Sequence, residues 1–304
     1  MKTTVKDKNL QYKLLDTESE NNLFTALEYS ERLILFIGAG LSKDTGIPTW
    51  KKLLGEIYLK AFGKEIEIED GDELKIASQL EKQCVVKKIG FYDEIKRIIN
   101  GRKLPHLAVH EHILKADFFS RITTNFDNVL DSAATGTLKN YNPQYWPRFR
   151  ISHINTDCTC YLHGNVFVND INNRIIFTEE SYKEAYEETD YIKRLLSAIT
   201  YENNILFAGF SFNDFEFVAL FEKIFTMKKD EMWAEFGPHF ILLPSSLREA
   251  EYSGYKQKYH DFLIALNVKP IYFIVEGDSY INLHHILDYF IRKMKKPQLL
   301  DGTI

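Results

Sequence analysis

The stretch Leu33-Ile34-Leu35-Phe36-Ile37-Gly38-Ala39-Gly40-Leu41-Ser42 constrains this chain more than any other. Five apolar residues, rich in β-formers, run straight into Gly-Ala-Gly. A run of that kind reads as a strand buried on both faces, the signature of a central parallel strand. The glycines let the backbone turn tightly and approach a ligand that a side chain would hold off. A helix should start within a few residues, and its free N–H groups suit a phosphate. A nucleotide held at the C-terminal end of the first strand is therefore the first expectation. The usual dinucleotide fingerprint needs a third glycine where Lys43 stands, and the next glycine is Gly46, in Gly46-Ile47-Pro48.

The rest of the chain supports a strand–helix alternation. Strands are expected at about 32–37, 118–126, 160–162, 174–177, 204–208, 240–243 and 271–275. Helices are expected over 21–30, from Pro48-Thr49-Trp50 onward, from Pro105 onward, after Val129, and over 179–202, 214–227 and 283–294. This pattern predicts an α/β fold, a Rossmann-like parallel sheet with helices on both faces. We read 1–304 as one domain. It would carry a loose arm over 1–20, a largely helical small lobe from about 50 to 104 and an irregular insert at about 136–182.

Composition narrows the function. Hydrophobic residues make up 45% of the 304, enough for a sizeable core. A net charge of −5 with no basic block argues against nucleic acid as the main partner. Three cysteines, Cys84, Cys158 and Cys160, cannot build a disulfide framework and suit a reducing cytoplasm. Cys158-x-Cys160 is too closely spaced for a typical zinc pair, so no metal is expected. His106 and His110 stand four apart, but no Glu completes a zincin pattern, and with His112, His284 and His285 they are read as core or surface residues. No stretch approaches the length of a membrane span.

Four polar segments fall at expected strand ends: Gly38-Ala39-Gly40-Leu41-Ser42, Thr123-Thr124-Asn125-Phe126-Asp127, Leu162-His163-Gly164 and Gly209-Phe210-Ser211. In an open α/β sheet that edge binds ligands. Each segment has a plain alternative: Asn125, Asp127 or Asp214 as a helix cap, and His163 as a satisfied histidine at a strand end.

In this order the four segments resemble the sirtuin superfamily, over about 30 to 215. The first is similar to its NAD-binding glycine motif and the second to Thr-Gln-Asn-Ile-Asp. The third matches the segment of the catalytic histidine, and the fourth resembles the ribose-contacting Gly-x-Ser loop. Two departures stand out. Thr49-Trp50-Lys51 replaces the Asp-Phe-Arg of the deacylases, and no cysteine follows His163, so a zinc ribbon is not expected. The closer likeness is to the zinc-less bacterial sirtuin-like domains of antiphage defence, which hydrolyse NAD⁺ to nicotinamide and ADP-ribose.

That likeness implies a set of roles. Asn125 would serve a ribose hydroxyl or the attacking water, since its amide both donates and accepts. His163, titrating near neutral pH, would take a proton. Gly38, Ala39, Gly40 and Ser42 would cradle the pyrophosphate. Thr124 and Asp127 would complete the pocket, with Asp127 on the nicotinamide carboxamide. Gly209, Ser211, Asn213 and Asp214 would line the adenosine side. NAD⁺ enters as substrate. A homo-oligomer and a separate sensor or regulatory protein are the implied partners. A deacylase or ADP-ribosyltransferase needing an acceptor, and a non-catalytic NAD⁺ or ADP-ribose sensor, are the competing functions.

Overall fold

In the computed structural model, residues 13–69, 71–135, 141–150, 152, 154, 158–168, 175–200, 203–210, 215–230, 238–249, 263 and 266–294 are described. Seven strands form one parallel sheet: β1 (Leu33–Ile37), β2 (Ser120–Thr123), β3 (Asn142–Tyr145), β4 (Cys158–Tyr161), β5 (Asn204–Ala208), β6 (His239–Pro244) and β7 (Val268–Phe273), in spatial order β3-β4-β2-β1-β5-β6-β7. The helices are α1 (Thr17–Glu28), α2 (Ala39–Ser42), α3 (Trp50–Phe62), α4 (Glu73–Val86), α5 (Phe91–Asn100), α6 (Ala108–Lys115), α7 (Val129–Ala134), α8 (Glu179–Lys183), α9 (Tyr191–Thr200), α10 (Phe215–Asp230), α11 (Ser246–Glu249) and α12 (Ile281–Lys293).

Because strand side chains alternate between faces, the apolar run of β1 serves two cores at once. Ile34 and Phe36 join the layer formed with α9 and α10, where Leu195, Leu196, Phe217 and Phe221 pack. Leu33, Leu35 and Ile37 join the opposite layer with α1, α6 and α12, through Leu23, Ile113, Leu283 and Phe290. All five residues of β1 are buried, as the doubly covered strand of a parallel sheet requires. The helices α3, α4 and α5 build a third apolar cluster, with Leu54, Leu80 and Ile95 at its centre. No helix among the described residues is long and apolar enough to cross a membrane.

The direction of chain growth reverses at β1. Residues after β1 build outward through β2, and the chain later returns to lay β5 on the other side. This switch point lies at the carboxyl ends of β1 and β5, the edge where α/β sheets take ligands.

Four expectations need correction. Of the arm expected over 1–20, residues 1–12 lie outside the described residues, and the rest is tied to the sheet: Leu15 N donates to Tyr272 O at 2.9 Å and Ile274 N to Lys13 O at 3.0 Å. Asp16 then caps α1 by accepting from Ser19 N. The segment expected to be irregular at 136–182 contains β3, a sheet edge hydrogen-bonded to β4. Its Asn-Pro-Gln-Tyr sequence has little β-propensity, and pairing overrides it. The helix expected over 179–202 is broken by a π-helical turn at Glu184–Glu188 between α8 and α9. No strand occurs at residues 175–177, while Arg174 lies outside the described residues.

At the switch point the backbones of two loops touch. Gly38 N donates to Ala208 O at 2.9 Å, and Gly40 N to Gly209 O at 2.8 Å. A Cβ on Gly209 would stand 2.3 Å from Leu41 N, and Gly209 itself has φ +68°. Gly209→Ala should therefore cost about 2–4 kcal/mol. Gly55, inside α3 with nothing near its missing Cβ, should instead gain about 0.5–1 kcal/mol as alanine. Urea unfolding of both variants checks this, and a tolerated Gly209→Ala would refute the interlock.

Candidate functional site

Three described loops converge at the carboxyl edge. The first follows β1, where Gly38 opens the four-residue helix α2. The glycines were expected to bring backbone close to a ligand. The structure gives them another use, since the N–H groups of Gly38 and Gly40 are taken by Ala208 and Gly209. The space left by their missing side chains is filled by the backbone of Gly209 and Phe210. Ala39 stays exposed beside them, while Ser42 is buried.

The second loop follows β2. Thr123 Oγ1 donates to Ile37 O at 2.9 Å and accepts from Asn125 N at 3.0 Å, which fixes where the Asn125 side chain leaves the backbone. Asn125 Nδ2 then donates to Ser42 Oγ at 3.2 Å. Ser42 also lies near enough to the Asp127 carboxylate to favour its charged form. One buried hydroxyl thus neighbours both the asparagine and the aspartate expected on the substrate. The helix start at α7 is served by Asp127, whose Oδ1 accepts from Val129 N at 2.9 Å. Asn125 is left for other work. Burial pushes the Asp127 carboxyl up to about 6, against the hydrogen bond from Val129, the neighbouring Ser42 hydroxyl and the nearby Arg102 charge. Thr124 is half-buried between them.

The third loop follows β4 and runs beside the second. Leu162 N donates to Thr123 O at 2.8 Å, and Val166 N to Phe126 O at 2.9 Å. Gly164, at φ +75°, makes the tight turn that places His163. The amide of Asn165 bridges the two loops by donating to Asp127 O at 3.2 Å and to Asp131 Oδ2 at 2.6 Å. Asp131 also accepts from Tyr141 Oη at 2.9 Å and from Tyr145 Oη at 3.4 Å. Burial still raises its pKa.

His163 is 4% exposed, and its Nε2 shares a 2.7 Å hydrogen bond with the Tyr186 hydroxyl. Its ring sits edge-on to Tyr182, which stacks on Tyr186. The expectation that His163 titrates near neutrality is corrected here: burial pushes its pKa down to about 3. The ring is neutral throughout the physiological range.

Gly38, Gly40, Ser42, Asn125, Asp127, His163 and Gly209 thus lie on adjacent loops at one sheet edge. Ser211, Asn213 and Asp214 lie outside the described residues. Sequence reasoning missed Tyr186, Tyr182, Asn165, Asp131 and Arg102. The i,i+4 tyrosines were the one visible signal. Among the described residues no group of three His, Cys, Asp or Glu side chains is placed to hold a metal. His106, His110 and His112 have separate surroundings. His110 is buried and accepts from Leu107 N, His106 meets Glu111, and His112 meets Asp288.

Residues 120–271, half of the chain, match the SIR2-like domain family, and the chain belongs to that family. It is 22% identical to Defense-associated sirtuin 2 of Bacillus subtilis, over 67% of this chain and 20% of that protein. It is 26% identical to NAD(+) hydrolase ThsA of Bacillus cereus (strain MSX-D12), over 63% of this chain and 39% of that protein. NAD(+) hydrolase ThsA of Enterococcus faecium is 24% identical, over 71% of this chain and 44% of that protein. The matched region thus spans less than half the length of each of these relatives.

Two outcomes test this geometry. Asn165→Ala strips the bridge between the loops and leaves buried acceptors short of a donor, so it should cost about 1–3 kcal/mol in urea unfolding. For pH, His163 and His110 both fall from 6.5 to about 3. The unfolded chain therefore binds protons that the folded one refuses, and stability is lost as pH drops from 6.5 toward 3. Asp127, raised from 3.8 to about 6, works the other way between those values. The two histidines outweigh it, so the urea midpoint should fall between pH 7 and pH 5. His163→Gln should flatten that fall.

Proposed function

We propose that the chain hydrolyses NAD⁺ to nicotinamide and ADP-ribose, as a toxic effector that depletes NAD⁺ in bacterial antiphage defence. It would act in the cytoplasm, as a homo-oligomer restrained or triggered by a separate sensor protein. The observation that carries the reading is the binding of the Asn125 loop to the His163 loop beside the switch point between β1 and β5. The names of the relatives, two NAD(+) hydrolases and a defence-associated sirtuin, support the same chemistry.

The bond to be broken joins ribose C1′ to a cationic nicotinamide nitrogen, so the leaving group departs neutral without a general acid. The protein must hold the ribose, place a water and accept one proton. Asn125, oriented by Thr123 and Ser42, would hold a ribose hydroxyl or the water. His163 would take the proton. Asp127, mostly ionised at pH 7, would serve the nicotinamide carboxamide. Ala39 and Ser42 would face the phosphates, with Gly209 setting the shape of the sheet edge.

The purified chain incubated with NAD⁺ alone, its products followed by chromatography, tests this reading. Nicotinamide and ADP-ribose should form, and His163→Ala and Asn125→Ala should each cut the rate by about a hundredfold or more. Products indifferent to both substitutions would refute the site. NAD⁺ consumed only with a protein acceptor present would select a transferase or deacylase instead.

A further inference from the structure

Asp131 takes no part in the chemistry above, and its charge alone is a liability. It lies on α7, four residues on from Asp127, and its negative charge helps to raise the Asp127 pKa. Like charges four apart on a helix are destabilising, and proteins keep such conflicts chiefly at functional sites. The use of Asp131 is visible in what it binds. Its Oδ2 accepts from Asn165 Nδ2 at 2.6 Å. The same nitrogen donates to Asp127 O at 3.2 Å, while Asn165 Oδ1 accepts from Phe167 N at 2.9 Å. A backbone N–H can only donate, so the Asn165 amide has one orientation, with its nitrogen toward Asp131. Asn165 is 1% exposed and stands two residues after His163, in the turn closed by Gly164 N on Tyr161 O at 3.1 Å. The other carboxylate oxygen is held from the sheet edge. Oδ1 accepts from Tyr141 Oη at 2.9 Å and from Tyr145 Oη at 3.4 Å. Tyr145 ends β3, and its ring centroid is 5.0 Å from that of Tyr161 at the end of β4. The edge strand β3 thus brings two hydroxyls to this carboxylate.

We propose that Asp131 is a positioning residue for His163: clamped by the tyrosines of the β3 edge, it holds the Asn165 amide and so fixes the His163 turn against the Asn125–Asp127 loop. It touches neither substrate nor reacting atoms and acts only through Asn165. A carboxylate suits this post because both of its oxygens accept, one taking the tyrosines and the other the amide. An asparagine can do the same work. Its oxygen can face Asn165 while its N–H donates to a tyrosine hydroxyl, which accepts as well as donates. An alanine cannot. The paired contacts are the function of Asp131, and its charge is incidental to them. The catalytic meaning of the clamp rests on the hydrolase reading, and the clamp itself rests on the contacts.

The test uses the full chain and takes two readings, amide hydrogen exchange over His163–Phe167 and steady-state kinetics on NAD⁺. Asp131→Ala should speed exchange in that turn by about tenfold or more. It should also lower kcat by about tenfold to a hundredfold, with KM within about threefold of the parent. Asn165→Ala should show the same two effects, and the double variant no more than either alone. Asp131→Asn should bring both readings back to within about threefold of the parent. If Asp131→Ala does not fold, Asp131→Ser takes its place with the same readings expected, since its hydroxyl serves the tyrosines but falls short of Asn165. A parent-like kcat in Asn165→Ala overturns the proposal. So does an Asp131→Asn as slow as Asp131→Ala, because the charge itself would then be what the reaction needs. Unchanged exchange in Asp131→Ala, or a KM that rises while kcat holds, overturns it too. If the parent and His163→Ala treat NAD⁺ alike, the hydrolase reading fails instead, and the exchange rates still decide whether Asp131 clamps the turn.

Discussion

The contact between the Gly38–Gly40 loop and Gly209 carries the rest of the site. Main chain meets main chain there, with hydrogen bonds of 2.9 and 2.8 Å continuing the β1–β5 ladder past the ends of both strands. The approach is so close that a Cβ on Gly38 would lie 2.5 Å from Gly209 O. Phe210 follows immediately and locks the arrangement from below. Its ring packs on Phe36 at 5.0 Å and on Phe217 at 5.1 Å, contacts each worth about 0.5–1.5 kcal/mol beyond their buried area. Only when this joint is closed does the short helix α2 start where it does, with Ser42 inside.

From Ser42 the dependence passes sideways along the sheet edge. Its hydroxyl accepts from Asn125, and through the Asn165 bridge the β2 loop holds the β4 loop. Buried polar groups are costly when unpaired and rigid when satisfied. Here Asp131 carries tyrosine hydroxyls and an amide on one half-buried carboxylate. The result is a stiff platform in which Asn125 and His163 belong to one hydrogen-bonded unit, although they arise from different strands.

The sheet was legible because its signals are local. The apolar run of β1, the glycines that stop it and the polar residues at each strand end are all contiguous in sequence. Strand and helix alternation then leaves few topologies. What stayed hidden depends on contacts between distant segments. Ser42 reads as one more residue of a glycine loop until Asn125, 83 positions later, is seen to donate to it. Asn125 reads as a helix cap until Asp127 is found doing that work. Nothing local predicts that β3, weak in β-formers, becomes an edge strand, nor that the helix after Thr178 opens into a π turn to bring Tyr186 to His163. The histidine's own environment was the largest surprise, since burial is a property of the fold and not of Leu-His-Gly.

Burial moves two of the site's titratable groups in opposite senses, His163 down to about 3 and Asp127 up to about 6. Because the shifts start from opposite charge types, both still end on the same side of neutrality. At pH 7 the histidine is uncharged and the aspartate is ionised, so the pair presents net negative charge. A pair of that sign suits a reacting centre that is positive before the bond breaks and remains positive on the sugar as it breaks. It also explains why a low histidine pKa is compatible with proton transfer under the proposed reaction. The proton is needed only after the ring nitrogen has left, when a cationic ribose has made the attacking water far more acidic. A weak base then suffices, provided the ring is held still.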